Sequence, residues 1–189
     1  MKREKIMELL THRLILKDFD QQDYDFYKKL VQDPYTLMYE SDQIPSEDEV
    51  LEQFKTILEL KRSEKREKWS LIIKHIDNHQ PIGRIVLWEV DSSISEWEIG
   101  WYIDKQFAGL GYATEAALKM LDFAFNHLNA HRVQALCHHL NRASVNVMLN
   151  IGMKQEGLLR AIRFLNHEWI DMLIFSILET DYEVIKNEY

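Results

Sequence analysis

The sequence is poor in the residues that stitch, stiffen or loosen a chain. Only one cysteine, Cys137, stands in 189 residues. No internal disulfide can form, and the cytoplasm is the default compartment. Three prolines and six glycines exclude collagen-like, proline-rich or linker-like character. No apolar run approaches the ~20 residues that span a bilayer. The start Met1-Lys2-Arg3 is followed by Glu4 and Glu8 rather than by the apolar stretch of a leader. Positive charge is also scarce: 23 Lys and Arg against 31 Asp and Glu give a formal net charge of -8. That balance argues against nucleic acid or an anionic membrane as partner, and suits either plain solubility or a cationic substrate. What is present has a globular balance, 46% hydrophobic and 29% charged, without repeats. Residues 1–189 are expected to form one domain.

Thr11 to Lys17 reads as a first strand, and Asp20 opens a helix that Pro34 stops. Ser46 stands three residues before Glu49, a capping box, and Val50, Leu51, Phe54, Ile57 and Leu58 form an apolar stripe, so a second helix is expected. The charge-dense stretch from Lys61 to Lys68 reads as its solvated end. Strands from Lys68 to Ile76 and from Pro81 to Val90 flank the turn Asp77-Asn78-His79-Gln80. From Ile94 to Asp104, Trp97, Ile99, Trp101 and Ile103 alternate with Glu96, Glu98, Gly100 and Tyr102, the period of a strand with two unlike faces. Arg132 to His138 forms another strand. Asn141 caps a helix that Gly152 ends. Leu158 to Leu165 and Trp169 to Leu178 read as a hairpin about Asn166-His167, followed by a short helix. His138 and His139 beside Cys137 match no zinc spacing, so no metal is expected.

Gln106-Phe107-Ala108-Gly109-Leu110-Gly111-Tyr112-Ala113 joins the central strand to a helix whose apolar positions are 113, 116, 117, 120, 121 and 124. Two glycines at a helix start can mean a tight connection with positive φ. They can equally form a cradle, because the first N–H groups of a helix lack intrahelical partners and suit a phosphate or pyrophosphate. The loop lacks the Gly-Lys-Ser/Thr of a nucleotide triphosphate site and the third glycine of a dinucleotide fingerprint.

Five segments in order carry a resemblance. They are Thr11-x-Arg13-Leu14-x-Leu16, Glu98-Ile99-Gly100-Trp101, Gly109-x-Gly111-Tyr112-Ala113-Thr114-Glu115-Ala116, Asn141-x-x-Ser144, and Gly152. Together they resemble the RimJ/RimL-type branch of the GNAT N-acetyltransferases. The resemblance implies an α/β (α+β) fold, with a mixed, mostly antiparallel central sheet of about seven strands and helices on both faces. Its fourth and fifth strands would splay to admit an acyl-CoA. It implies acetyl-CoA as cosubstrate, held by Trp101, Ile103, Gln106, Phe107, Ala108, Gly109, Leu110, Gly111, Tyr112, Ala113, Asn141 and Ser144, with Lys105 and Arg142 either near the phosphates or solvated. The implied partner is an amine acceptor: first a protein N-terminal α-amine, as in the ribosomal-protein acetyltransferases, and second a polyamine or other small amine. A non-catalytic acyl-CoA-binding module is the competing class, and either a monomer or a homodimer fits.

The reaction needs a neutral amine. At pH 7 about 0.04% of a lysine-like amine (pKa ~10.4) is neutral, against roughly 14% of an α-amine near ~7.8. An N-terminal acceptor therefore manages with a weak base or a water chain. Glu98 is the candidate base, provided burial or Glu96 raises its pKa, and its other reading is a strand carboxylate paired with an arginine. Backbone N–H groups from Ile99 to Trp101 would stabilise the oxyanion. Many family members carry a tyrosine acid where this chain has Met148. That leaves Ser144 as the candidate acid, or as a cap and CoA contact only.

Overall fold

The computed structural model describes the backbone of residues 7–63 and 65–186. The N-terminal residues 1–6, read above for the lack of a leader, and Glu64 in the charged stretch lie outside the described residues. One sheet holds eight strands: β1 (Glu8–Leu10), β2 (Leu14–Asp18), β3 (Lys68–His75), β4 (Pro81–Asp91), β5 (Glu96–Ile103), β6 (Arg132–His138), β7 (Lys154–Leu165) and β8 (Glu168–Leu178). Their order is β1-β2-β3-β4-β5-β6-β8-β7. Every neighbouring pair is antiparallel except β5 and β6.

The helices are α1 (Tyr24–Gln32), α2 (Pro34–Leu37), α3 (Glu47–Leu60), α4 (Tyr112–His127), α5 (Arg142–Asn150) and α6 (Glu179–Lys186). They divide the core into two. Alternate residues of a strand face opposite ways. Trp69, Leu71 and Ile73 of β3 therefore join Ala116, Ala117, Met120, Leu121 and Ala124 of α4 in the larger cluster, which also takes in Met148 of α5 and Tyr182 of α6. Ile72, between them, packs with Tyr27 of α1 and Val50, Phe54 and Ile57 of α3 on the other side. Phe19 and Tyr27 meet edge to face at 5.7 Å between ring centres. Capping follows the sequence: Ser46 accepts from the Glu49 N–H while Glu49 accepts from the Ser46 N–H, and Asp20 with Asp23 does the same ahead of α1.

Several boundaries differ from the sequence reading, among them the start of β7 at Lys154 rather than Leu158. Thr11 to Arg13 form a turn rather than a strand, because Glu8–Leu10 folds back on Ile15–Lys17. This adds an eighth strand and renumbers those that follow. Pro34 does follow the end of α1, which stops at Gln32, but it also begins a further short helix that the sequence reading did not foresee. Asp33 accepts from the Tyr35 N–H and caps α2, and proline at the first helical position has no N–H to lose. Finally, α3 stops at Leu60, so Lys61 to Lys68 is no helix face. Arg66 turns in to pair with Asp18, which is 4% exposed and also accepts the Met7 N–H.

β4 and β5 approach closely at Gly83, where an added Cβ would stand 2.3 Å from the Tyr102 carbonyl oxygen and 2.9 Å from the Ile103 side chain. Gly83→Ala is expected to cost about 1–3 kcal/mol through overpacking. That lowers the melting temperature by roughly 2–4 °C per kcal/mol for a chain of this size. Thermal unfolding followed by circular dichroism checks this, and an unchanged melting temperature would refute the close contact.

Candidate active site

β5 and β6 stay paired for three residues, Glu96 with Arg132, Trp97 with Val133 and Glu98 with Gln134, and then part. Beyond that point Ile99–Ile103 and Ala135–His138 have no ladder to one another, so their facing backbone groups are available to a ligand. A cleft of about 430 Å³ lies beside the unpaired end of β5, between it, the glycine loop and α5. Its wall contains Trp101, Ile103, Phe107, Ala108, Gly109, Gly111, Tyr112, Ala113, Asn141 and Ser144, all expected from the sequence as cofactor residues. Trp101 and Ile103 are only half-buried, whereas Trp97 and Ile99 on the same face are in the core. Gln106 and Leu110 stand outside the wall. Gln106 is exposed, and Leu110 turns its side chain to solvent while its carbonyl accepts from Arg13.

Both loop glycines adopt left-handed backbone conformations, with φ of 77° at Gly109 and 81° at Gly111. An added Cβ on Gly109 would meet nothing within 4 Å, so it is the conformation and not crowding that requires glycine there. Gly111 occupies the N-cap of α4 and supplies no side-chain cap. The first N–H groups of the helix are thus left for an anion, at the positive end of its dipole.

The loop is held from an unexpected direction. Glu115, in the first turn of α4, accepts from the Thr11 hydroxyl at 2.6 Å, the Arg13 N–H at 2.8 Å and Arg13 Nε at 2.6 Å. Arg13 in turn lies 4.5 Å over the Tyr112 ring and donates to the Leu110 carbonyl. The first motif of the chain and the glycine motif are two halves of one clasp. Burial pushes the Glu115 carboxyl up, but the hydrogen bonds from Thr11 and Arg13 outweigh it and hold it below the ordinary range. A second tie runs from Lys29 of α1 to Asp104, which also caps the short turn ahead of the loop through the Gln106 N–H.

Asn141 caps α5 by accepting the Ser144 N–H on Oδ1 at 3.1 Å, which leaves its amide NH2 to donate elsewhere. Ser144 is half-buried in the cleft wall. Met148 is fully buried among the α4 and β-sheet side chains and does not line the cleft. Arg142 and Lys105 are exposed, and Lys105 lies 5.9 Å from the Tyr35 ring.

Glu98 is not in the wall of the cleft. It sits at the last paired position of β5, on the face away from α4, and accepts from Gln134 Nε2 at 2.9 Å. Arg132 orients that glutamine by donating to its Oε1 at 3.3 Å, while also binding Glu96 and Glu156. The arginine partner foreseen for Glu98 is therefore Glu96's partner instead. Burial raises the Glu98 pKa, the Gln134 hydrogen bond opposes that, and Glu96 adds to the rise.

The sequence reading missed the far wall, made by Tyr35, Thr36, Met38, Tyr39 and Glu40 of α2 and the turn after it. The Asp33-Pro34 pair was its signal, a cap followed by proline. Glu40 is paired to β7: Arg163 Nη1 lies 3.2 Å from its carboxylate and Nη2 donates to its carbonyl at 2.6 Å. The Thr36 hydroxyl is buried with no hydrogen-bond partner among the described residues.

Glu115→Gln is expected to destabilise the protein by about 1–2 kcal/mol at neutral pH, since it leaves the part-buried donors of Thr11 and Arg13 without their charged acceptor. A carboxylate held low stabilises the fold above its unfolded value of about 4.3. The stability difference between wild type and variant should therefore persist above that pH and shrink as the pH falls through the folded value. Urea unfolding of both proteins between pH 7 and 3 measures it, and a difference independent of pH would remove the carboxylate from the clasp.

The acetyltransferase (GNAT) domain model matches residues 13–154. An uncharacterized N-acetyltransferase of Bacillus subtilis, YnaD, is 28% identical over 176 residues, covering 93% of this chain and 99% of its own. Solved structures that share the fold include the following two. The spermidine N-acetyltransferase of Vibrio cholerae, in complex with CoA and spermine, has a TM-score of 0.80 at 21% identity, over 92% of this chain and 99% of its own. The ribosomal-protein-S5-alanine acetyltransferase of Vibrio fischeri has a TM-score of 0.79 at 16% identity, over 93% and 98%. With its parted strands and glycine loop, this chain belongs to the GNAT acetyltransferase family and is an acyltransferase.

Proposed function

We propose that this chain transfers an acetyl group from acetyl-CoA to the α-amine of a protein or peptide, by direct attack in a ternary complex, in the cytoplasm. The observation that carries the choice of acceptor is electrostatic. Glu40 is the one charged side chain in the cleft wall among the described residues, and Arg163 already neutralises it. A polyamine brings several ammonium groups and needs free carboxylates to replace their hydration. An α-amine makes no such demand, and its neutral fraction at pH 7 is roughly 14%.

In this reading the N–H groups at the start of α4 hold the donor's pyrophosphate, and the NH2 of Asn141 donates to its pantetheine arm. Backbone N–H groups of β5 beyond Glu98 face the thioester oxygen, where negative charge develops. Glu98, at the vertex where the strands part, takes the amine proton through water. Its raised pKa brings it nearer to neutral pH, as a base at this task requires. Ser144 supplies a hydroxyl beside the leaving sulfur, in place of the tyrosine that Met148 lacks.

Acetyl-CoA at about 100 times its dissociation constant should stabilise the protein by roughly 2.7 kcal/mol. That is a melting shift of roughly 5–11 °C, which ATP and NAD should not reproduce. Thiol release should be faster with free-amine peptides than with spermidine, and the reverse order would overturn the acceptor assignment. Glu98→Gln is expected to remove the enzyme's ionisation from the acidic limb of the kcat/KM profile, leaving the limb set by the acceptor amine itself, and an unchanged profile removes Glu98 as base. Ser144→Ala should lower kcat without raising KM for acetyl-CoA. A rise in KM alone would make Ser144 a binding residue.

A further inference from the structure

Tyr102 belongs to two walls. One side of it borders the cleft just described, and it also lines a second cavity of about 680 Å³ beneath the end of α3. Lys68 of β3, with Arg84 and Trp88 of β4, forms part of that second wall. The other charges there are Lys65, Glu67 and Glu89. Lys65 pairs with Glu67 at 2.9 Å, and Glu89 acts on that same lysine.

With Lys65 matched by Glu67, Lys68 and Arg84 stand as two cations against the single carboxylate of Glu89, which leaves this wall with a net positive charge of one. Neither has an ion-pair partner among the described residues. Arg84 donates through Nε to the Ser70 hydroxyl at 2.9 Å and lies 5.3 Å from the Tyr27 ring and 5.7 Å from the Tyr102 ring. Lys68 Nζ is 6.0 Å from the Trp88 ring. Half-burial lowers the pKa of Lys68, and the charge that adds to this effect is that of Arg84. Two like charges partly removed from water repel one another, and an anion between them relieves both the repulsion and the lost hydration. Guanidinium and ammonium beside aromatic faces are well suited to a carboxylate.

We infer that this cavity is a specificity subsite for the acceptor, receiving a carboxylate carried on the same molecule as the amine. The inference rests on the acetyl-transfer reading above and narrows its substrate class to α-amines followed by acidic residues. Tyr102 is the residue the two walls share, and Arg84 of the cation pair lies 5.7 Å from its ring, so the subsite is adjacent to the cleft. The cleft then receives the amine in surroundings without free charge, while the second cavity selects the chain that bears it. The net charge of -8 would discourage acidic partners at long range. A local cation pair is what could admit them, more effectively as salt screens the outer field.

The test uses two peptides, Ser-Glu-Asp-Leu and Ser-Gln-Asn-Leu, with acetyl-CoA at fixed ionic strength. The wild type should acetylate the acidic peptide with a kcat/KM roughly tenfold higher, the effect of one charge-assisted contact. Lys68→Gln should bring the ratio close to one. Lys55→Gln, which removes a surface lysine paired with Glu52 away from the cavity, should keep it. Arg84→Gln should act like Lys68→Gln if it folds, and Lys68→Gln carries the test if it does not.

Calorimetric binding of both peptides in the presence of CoA separates this inference from the enzymatic one. Preferential binding of the acidic peptide that Lys68→Gln abolishes supports the subsite even if no acetyl transfer occurs. Equal binding and equal turnover of the two peptides overturns the subsite while leaving the acetyltransferase intact. If phosphate accelerates both peptides alike and no acidic preference is seen, the cavity serves a separate anion and the inference also fails.

Discussion

The parting of β5 and β6 after Glu98 and Gln134 is the constraint on which the rest depends. A parallel pair that ends after three residues leaves two rows of backbone donors and acceptors unmatched inside the molecule. Such groups are costly unless something pairs with them. The fold keeps the gap open by anchoring its two sides separately. β5 is held along its length by β4, from Glu96 to Ile103, and β6 by β8, from Arg132 to His138. With both outer ladders complete, the strands need not close on each other, and the opening becomes a place for an elongated ligand with an amide of its own.

Around that gap, short-range motifs are tied together by long-range contacts. Glu115 joins residues about a hundred positions apart, Asp104 ties the loop to α1 through Lys29, and Glu40 ties α2 to β7 through Arg163. Each tie is an ion pair at the edge of the cleft, and none places an unpaired charge in its wall. The glycine loop can consequently remain open, with free N–H groups, because its rigidity comes from Arg13 and Glu115 rather than from its own side chains. The same face of the sheet carries the chain from Arg132 through Gln134 to Glu98. A carboxylate in that setting is oriented without being neutralised.

Tyr102 relates the two cavities. Burial raises its pKa, and charge arrives from both sides, from Glu40 in the cleft and Arg84 in the second cavity.

Much of this architecture is legible in the sequence because it is written in local physics. The alternation from Trp97 to Ile103, the stripe on α4, the boxes at Ser46 and the cap at Asn141 depend on neighbours a few residues apart, and each appears where expected. The two glycines at 109 and 111 are likewise legible, since few other residues adopt those angles. Tertiary structure alone decided the rest. Glu98 is one strand residue among several until β6 supplies Gln134 and shows that pairing ends there. Thr11 and Arg13 read as strand because nothing local reveals that Glu115 will meet them. Lys61 to Lys68 reads as solvated helix because a dense charge pattern does not say which members find partners. Arg66 is paired by Asp18 and Lys65 by Glu67, and Lys68 remains beside Arg84. Local propensity determined the elements, and contacts between distant residues determined which side chains face the cleft and which charges are left free.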